Sequence, residues 1–419
     1  MTETNYDVVI VGGRAGGIAT ASSLRKRDKH LSVAIVEPSR THRYQPGQTL
    51  VGGGVFKPEQ LTRPMQSLIP KGVEWIQERV RSFEPDEDRV TLSNGDRLCY
   101  SALVAAPGIE LHWDGIEGAR AALGRNGVTS NYEADLAPSN WKLVQELKGG
   151  KAVFSQPPMP IKCAGAPQKA LYLSCSEWER SGRLKDIDVH FHNAGGVLFG
   201  VADYVPALEG YMNRYGVHCH YGSTLTAVDG GAKQAVFSSE AGEQVIDFDF
   251  LHLSPPQRAP AFIRDSALAD TAGYLDLAPD TLQHVRYPTV FGLGDASGTG
   301  NAKTAAAIRK QAPVVATNLL AQLRGEALRA AYSGYGSCPL TVERGKVVLA
   351  EFAYGGKLQP TVPKWINDGT RPTTFGWLLK SSWLPPIYFD LMLKGREWLA
   401  APKVIPETAG KPAIEGHGG

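Results

Sequence analysis

A short apolar run, Tyr6 to Val11, passes directly into Gly12, Gly13, Arg14, Ala15, Gly16 and Gly17, and no other stretch restricts the fold so tightly. The run predicts a buried strand, the glycines a tight turn, and Ile18 to Arg27 a helix. A second apolar strand, Leu31 to Glu37, ends on an acid 37 − 17 = 20 residues beyond the turn. Together these segments make a βαβ unit. The glycines let the backbone approach a pyrophosphate, the helix N-terminus attracts it, and Glu37 suits ribose hydroxyls. Arg14 stands where G-x-G-x-x-G has its middle glycine; a side chain directed away from the phosphate preserves the turn.

The remaining chain repeats this alternation. Strands are predicted over Val73 to Val80 and Val90 to Leu98, with a turn at Asn94-Gly95, and Ala102 to Ala106 runs into Pro107 and Gly108. After about residue 112 a second α/β segment follows, with strands at Lys151–Phe154, Ile187–Asn193 and Val245–Ser254 and a helix at Pro167–Arg183. Gly292, Leu293, Gly294 and Asp295, ahead of a helix from Lys303 to Leu323, supply the second half of a flavin signature. Asp295 suits a ribityl hydroxyl. The helix start at Lys303, Thr304, Ala305 and Ala306 turns its positive end toward the flavin pyrimidine edge and favours an anionic reduced ring.

The expected fold is therefore α/β, with two Rossmann-like dinucleotide-binding domains and a C-terminal membrane-associating region. Residues 1–112 and 284–335 form the FAD-binding domain, 113–283 the second domain, and 336–419 the C-terminal region. Ala194 to Gly200 is expected at the nicotinamide position of the second domain. It has no G-x-G-x-x-G and carries bulky Leu198 and Phe199, so that domain is expected to keep its fold without binding nicotinamide.

A net charge of 44 − 42 = +2 gives no field for nucleic acid. Five cysteines without a Cys-x-x-Cys make neither a disulfide framework nor a zinc ribbon. A strand expected almost at once predicts no signal or transit peptide and a reducing setting, where lasting disulfides are usually catalytic. Cys99, Cys175 and Cys219 fall in regular elements and read as packed residues. Cys163 and Cys338 fall in Pro/Gly-rich segments that read as loops, which beside a flavin suggests thiol–disulfide redox chemistry. Lys162 is placed to lower the Cys163 pKa, whereas Cys338 has no charged neighbour in its segment. In His218-Cys219-His220, strand alternation turns the cysteine away from both histidines and no fourth ligand suggests itself, so no metal is expected.

Thr374 to Gly395 is aromatic and apolar but interrupted by Lys380, Pro385, Pro386, Asp390 and Lys394. A bilayer-spanning helix needs about 20 mostly apolar residues, which this segment lacks. Two short amphipathic pieces lying in a membrane interface, or a dimer contact, are the readings left open.

Several segments resemble sulfide:quinone oxidoreductases, most closely the type II subgroup that includes the mitochondrial enzyme. They are Glu37-Pro38-Ser39, His42 to Pro46, Thr49 to Gly52, Ile161 to Lys169, Lys303 to Ala307 and Ser337 to Leu340. The resemblance implies FAD held by Gly12 to Gly17, Glu37, Gln45, Val80, Asp295 and Lys303 to Ala306, with Pro107 and Gly108 near the ring. It implies that Cys163 faces flavin C4a and that Cys338 completes a redox disulfide with it. Hydrogen sulfide is then the donor, and sulfite, glutathione or a CoA-type thiol takes the sulfane sulfur. A ubiquinone-type quinone, received near Phe352, Tyr354 and Phe375, takes two electrons. The protein would sit peripherally on a bacterial or mitochondrial inner membrane, with a homo-oligomer possible. An NADH:quinone oxidoreductase-like flavoprotein, a redox-sensing flavoprotein and a cytochrome-partnered sulfide dehydrogenase are the alternatives.

Overall fold

The computed structural model describes residues 2–404; the last part of the expected C-terminal region, 405–419, lies outside them. The first sheet grows from the βαβ unit. β1 (Glu3–Val11) runs parallel to β2 (Val33–Val36), aligning Ile10 with Ile35, and α1 (Ala15–Arg27) crosses between them. Val8, Val9 and Ile10 are all fully buried, because helices and loops cover both faces of a parallel sheet and reward an unbroken apolar run. β3 (Val73–Ile76), β4 (Val80–Glu84), β5 (Arg89–Leu92) and β6 (Arg97–Ala105) complete the order β3-β2-β1-β6-β5-β4. The expected strand Val73 to Val80 is thus two strands at opposite edges. The run from Val90 to Leu98 is a hairpin turning through Gly95, whose φ of 89° suits glycine.

The second sheet is all parallel. Its strands are β7 (Val128–Thr129), β8 (Gly150–Gln156), β9 (Ile187–Asn193), β10 (His218–Tyr221) and, beyond an antiparallel meander, β14 (Phe250–His252). The meander is β11 (Thr224–Asp229), β12 (Gln234–Ser239) and β13 (Gly242–Asp247), so the strand expected over Val245 to Ser254 is divided between β13 and β14. The spatial order is β7-β14-β8-β9-β10, with α2 (Ala166–Arg180) crossing from β8 to β9. This corrects one expectation. The counterpart of the Gly12–Gly17 turn is the β8-to-α2 loop, residues 157–165, not Ala194–Gly200, which follows β9. The 157–165 loop also lacks G-x-G-x-x-G, and it holds Cys163.

The chain then returns to the first sheet. β15 (Val290–Gly292) lies parallel to β6, and α3 (Ala305–Leu323) packs beside α1 in a shared core. An antiparallel hairpin, β16 (Gly336–Glu343) with β17 (Lys346–Phe352), packs its buried side on α2. Cys338 is therefore in a strand, opposite Ala350, and not in a loop. Pro339 is tolerated there because a two-stranded ribbon leaves each strand one free edge.

From Thr374 to Lys394 the backbone is one continuous helical rod, not two pieces broken at Pro385-Pro386. It opens as α4 (Thr374–Leu378), and two wide π-turns, Leu379–Trp383 and Ile387–Leu391, flank the prolines. A locally changed hydrogen-bond spacing accommodates the N–H groups proline lacks. Among the described residues no helix is long and apolar enough to cross a membrane.

Candidate active site

The glycine turn is built as its sequence requires. Gly12 adopts φ 100° with its backbone against Pro107, and a Cβ on Gly13 would lie 2.5 Å from that of Glu37. The buried Glu37 carboxylate accepts the Gly13 amide (2.9 Å) and the Ser39 amide (2.9 Å), which brings it to the turn. Arg14 is the exposed N-cap of α1, its charge near enough to bear on buried His42 and Lys162, and Ala15 begins the helix. Gly16 faces Ala106 and Leu293, and Gly17 closes on Gly12, joining the turn to the ends of β6 and β15. Gly108 (φ 84°) has open space where a side chain would stand, beside Pro107. Val80 is buried at the start of β4 and packs in one core with Val11 and Val36. Gln45 is half-buried in the loop after the short strand Thr41–Arg43.

A second wall comes from the other end of the unit. Thr304 caps α3 by accepting the Ala307 amide (3.2 Å), and Ala305 and Ala306 form the first turn. Lys303 is buried and donates to the carbonyls of Asp295 and Ser297, both at 2.8 Å; burial brings its pKa down to about 8. Burial raises the Asp295 carboxyl, an effect that Lys303 and Lys162 oppose. These residues fit a dinucleotide flavin: glycine backbone at one end, an acid beside it, and a helix N-terminus with Asp295 at the other.

Cys163 and Cys338, 175 residues apart in sequence, meet with their sulfurs 3.9 Å apart, both as free thiols. Cys163 has φ 52°, and its amide donates to the Lys303 carbonyl (2.9 Å), which fixes it at the N-terminal end of α3. Cys338 is held in β16. The cationic group in hydrogen-bond contact with the pair is Lys169, not the expected Lys162, which acts on Cys163 only through its charge. Lys169 on α2 is almost wholly buried and places Nζ 3.0 Å from Cys163 Sγ. Lys162 instead rests over the Tyr132 ring, 5.9 Å from its centre. The Cys338 thiol donating to Cys163, with Lys169 and Lys380 nearby, holds the Cys163 thiol well below its usual range against the cost of burial. The same contact, with burial, pushes Cys338 up. Burial would lower Lys169, but the two sulfurs reverse that and raise it.

Lys380, from the C-terminal rod, is buried and reaches the Pro46 carbonyl (3.5 Å); burial, then Lys169, lower it to about 7. Sequence reasoning assigned no role to Lys169 or Lys380. The available signal was a charge among the apolar residues of a helix, each needing a partner. The expected quinone residues do not converge. Phe352, at the end of β17, meets Phe199 edge-on at 5.8 Å, and the Tyr354 hydroxyl donates to the Pro279 carbonyl (2.7 Å). Phe375 packs edge-on with Trp383 at 5.7 Å, and α4 docks at Val347, the opposite end of β17. The histidine pair also differs from expectation. Cys219 does face away, but β9 lies alongside and brings His190 and His192 to His220.

A family model described as pyridine nucleotide-disulphide oxidoreductase matches residues 6–145. The mitochondrial sulfide:quinone oxidoreductase of Dictyostelium discoideum is 39% identical over 393 residues, covering 93% of this chain and 86% of that one. The Mus musculus protein of the same description is 37% identical over 396 residues, covering 94% and 87%. In fold, the crystal structure of the sulfide:quinone oxidoreductase from Aquifex aeolicus superposes with a TM-score of 0.77 at 20% identity, over 99% of each chain. With the cysteine pair, the lysine and the dinucleotide cradle in one place, the chain belongs to the sulfide:quinone oxidoreductase family.

Proposed function

We propose that this protein oxidises hydrogen sulfide through a Cys163–Cys338 redox disulfide, with FAD as the internal two-electron carrier and quinone as the final acceptor. The observation that carries this reading is the pair itself: two thiols 3.9 Å apart, one beside a buried lysine, at the N-terminal end of α3. A disulfide joins sulfurs about 2.0 Å apart, so modest side-chain rotation closes the pair. Hydrosulfide attacks the Cys338 sulfur of that disulfide; the S–S bond breaks, leaving a persulfide on Cys338 and a thiolate on Cys163. Lys169 is the counter-ion for that thiolate. A small thiol or sulfite removes the outer sulfur from Cys338, leaving both cysteines reduced. Re-forming the disulfide releases two electrons and the remaining thiol proton.

FAD, when bound, accepts those electrons and makes them available to quinone. Gly12, Gly13, Arg14, Ala15, Gly16, Gly17 and Glu37 would hold its pyrophosphate and ribose. Gln45, Val80, Pro107, Gly108, Asp295, Lys303, Thr304, Ala305 and Ala306 would enclose the rest. The domain division is 1–112 with 284–335, then 113–283, then 336–419. The last carries the membrane contact, supported by exposed Leu378, Trp383 and Trp398. Of the aromatic positions, Phe375 suits quinone arriving from a membrane, because its rod also carries Lys380 to the cysteines. A peripheral location on a bacterial or mitochondrial inner membrane follows.

The test is anaerobic mixing with sulfide while following flavin bleaching, then quinone reduction, with and without sulfite or glutathione. Cys163→Ser and Cys338→Ser are each expected to abolish sulfide-dependent reduction; full retention in either overturns the mechanism. Bleaching by NADH at a comparable rate would point instead to a nicotinamide-dependent enzyme.

A further inference from the structure

Away from the cysteines, one face of the second sheet collects imidazoles. β9 and β10 run parallel with His190 beside His218 and His192 beside His220, so alternation directs all four rings, with Asp188, to the same side. Like-charged or unpaired rings are poor neighbours, yet these are closely stacked. The His192 and His220 ring centres are 4.2 Å apart at 12°, and Phe237 of β12 stacks on His192 at 3.8 Å. His190 Nδ1 lies 3.0 Å from His220 Nε2. His192 is buried, and among the described residues its Nε2 has no hydrogen-bond partner although Nδ1 lies 2.8 Å from Ser223 Oγ. One potential ligand atom from each of His190, His192 and His220 falls within 4.8 Å of the others.

The outer partners prepare these nitrogens for a cation. The Asp188 carboxylate can only accept, so His190 Nε2, 2.8 Å away, carries a proton and leaves Nδ1 as a lone pair, which here accepts the His220 Nε2–H; a bound ion would take the place of that shared proton. Carboxylate, histidine and metal in that order is the usual supporting arrangement of a metal-bound imidazole. An Nδ1–H donated by His192 to Ser223 likewise leaves its unpartnered Nε2 as a lone pair. A tetrahedral ion about 2.0–2.1 Å from each nitrogen spaces its ligands roughly 3.3–3.4 Å apart. The separations here, from 3.0 to at most 4.8 Å, bracket that value. The rings stand 10–20° from parallel, so ion binding requires them to turn about their side-chain bonds until three in-plane lone pairs meet. We propose that His190, His192 and His220 form a binding site for a nitrogen-preferring divalent transition-metal ion, of which zinc is the type, with Asp188 and Ser223 orienting its ligands. Three neutral imidazoles exclude the oxygen-seeking calcium and magnesium. The bound ion would tie the edge strand β10 to β9, and exposed His218, 3.4 Å from Asp188, stands at the open side.

The experiment uses the full chain with its flavin, stripped by chelator and titrated with Zn²⁺. One ion per chain is expected by calorimetry, and the zinc-edge absorption spectrum is expected to show nitrogen and oxygen neighbours without sulfur. His190→Ala and His220→Ala, whose rings are only partly buried, should each weaken binding by about 100-fold or more. Asp188→Asn should weaken it by about 10–100-fold. Sulfide-dependent quinone reduction should be unchanged in all three. Asp188→Asn alters an exposed acid without changing its shape, and so decides the matter even if an alanine variant fails to accumulate. Sulfur in the zinc shell would assign the ion to Cys163 and Cys338 and overturn the proposal. So would absence of stoichiometric binding, or binding indifferent to these substitutions.

Discussion

At the scale of single residues, the chemistry proposed for Cys163 depends on a lysine six positions further along the chain. Lys169 contacts Cys163 Sγ while Lys162 does not, so the two lysines give opposite expectations. Lys169→Met removes the partner charge, and the pH profile of Cys163 alkylation should move up by about one unit or more, roughly tenfold less thiolate at neutral pH. Lys162→Met should leave the profile near that of the parent; equal effects from both would refute the assignment. Gly165 is equally exacting, because a Cβ there would lie 2.8 Å from Cys338 Sγ. Gly165→Ala is expected to cost about tenfold or more in sulfide-dependent quinone reduction, since small displacements of reacting atoms are costly. The flavin spectrum of that variant should be retained. Loss of flavin together with activity would instead mark a folding defect.

At the scale of elements, the C-terminal rod presents Leu378 and Trp383, both nearly half exposed, five residues apart across a π-turn that brings such positions to one side. Burying the exposed half of each in lipid contributes half of the about 1.5–3 kcal/mol that full burial of such a side chain gives. Leu378→Ser with Trp383→Ser should therefore lower vesicle partitioning by about tenfold or more while sulfide still bleaches the flavin; undiminished partitioning would remove this face from membrane contact. The same rod shows where sequence reading stops. The turn Gly12–Gly17 and Glu37 were legible because strand, glycines, helix and acid lie within one short βαβ unit. Pro385-Pro386 and the glycines around Cys338 read as breaks, but tertiary packing carries the backbone through both. Residues 157–165 were misplaced relative to the second unit because strand order, not spacing, defines its first strand. The resemblance paired Cys163 with Cys338, but only the fold of 175 intervening residues shows them meeting, and only adjacent β9 supplies partners to His220.

For the molecule as a whole, acid should be the first stress to tell. Burial, with the nearby Arg14 charge, lowers His42 to about 4, and burial alone lowers His252 to about 4. Their unfolded value is 6.5, so between these limits the unfolded chain binds more protons than the native one. The stabilisation is therefore complete above 6.5 and is lost as pH falls toward 4, at up to about 3 kcal/mol for each histidine. Thermal midpoints should drop steeply across that window, with proton uptake on unfolding to which these two histidines contribute about one each and His192, lowered to about 3, a further one. A flat profile would contradict the buried neutral rings. A last consequence concerns the amide of Cys163, which donates to the carbonyl of Lys303. That single bond rivets the loop of one sheet to the helix start of the other at the point of reaction. On the mechanism proposed above, both halves take part in presenting that sulfur. Calorimetry should accordingly record one cooperative melting event, and removing the flavin should speed amide exchange at Cys163 before either sheet loosens.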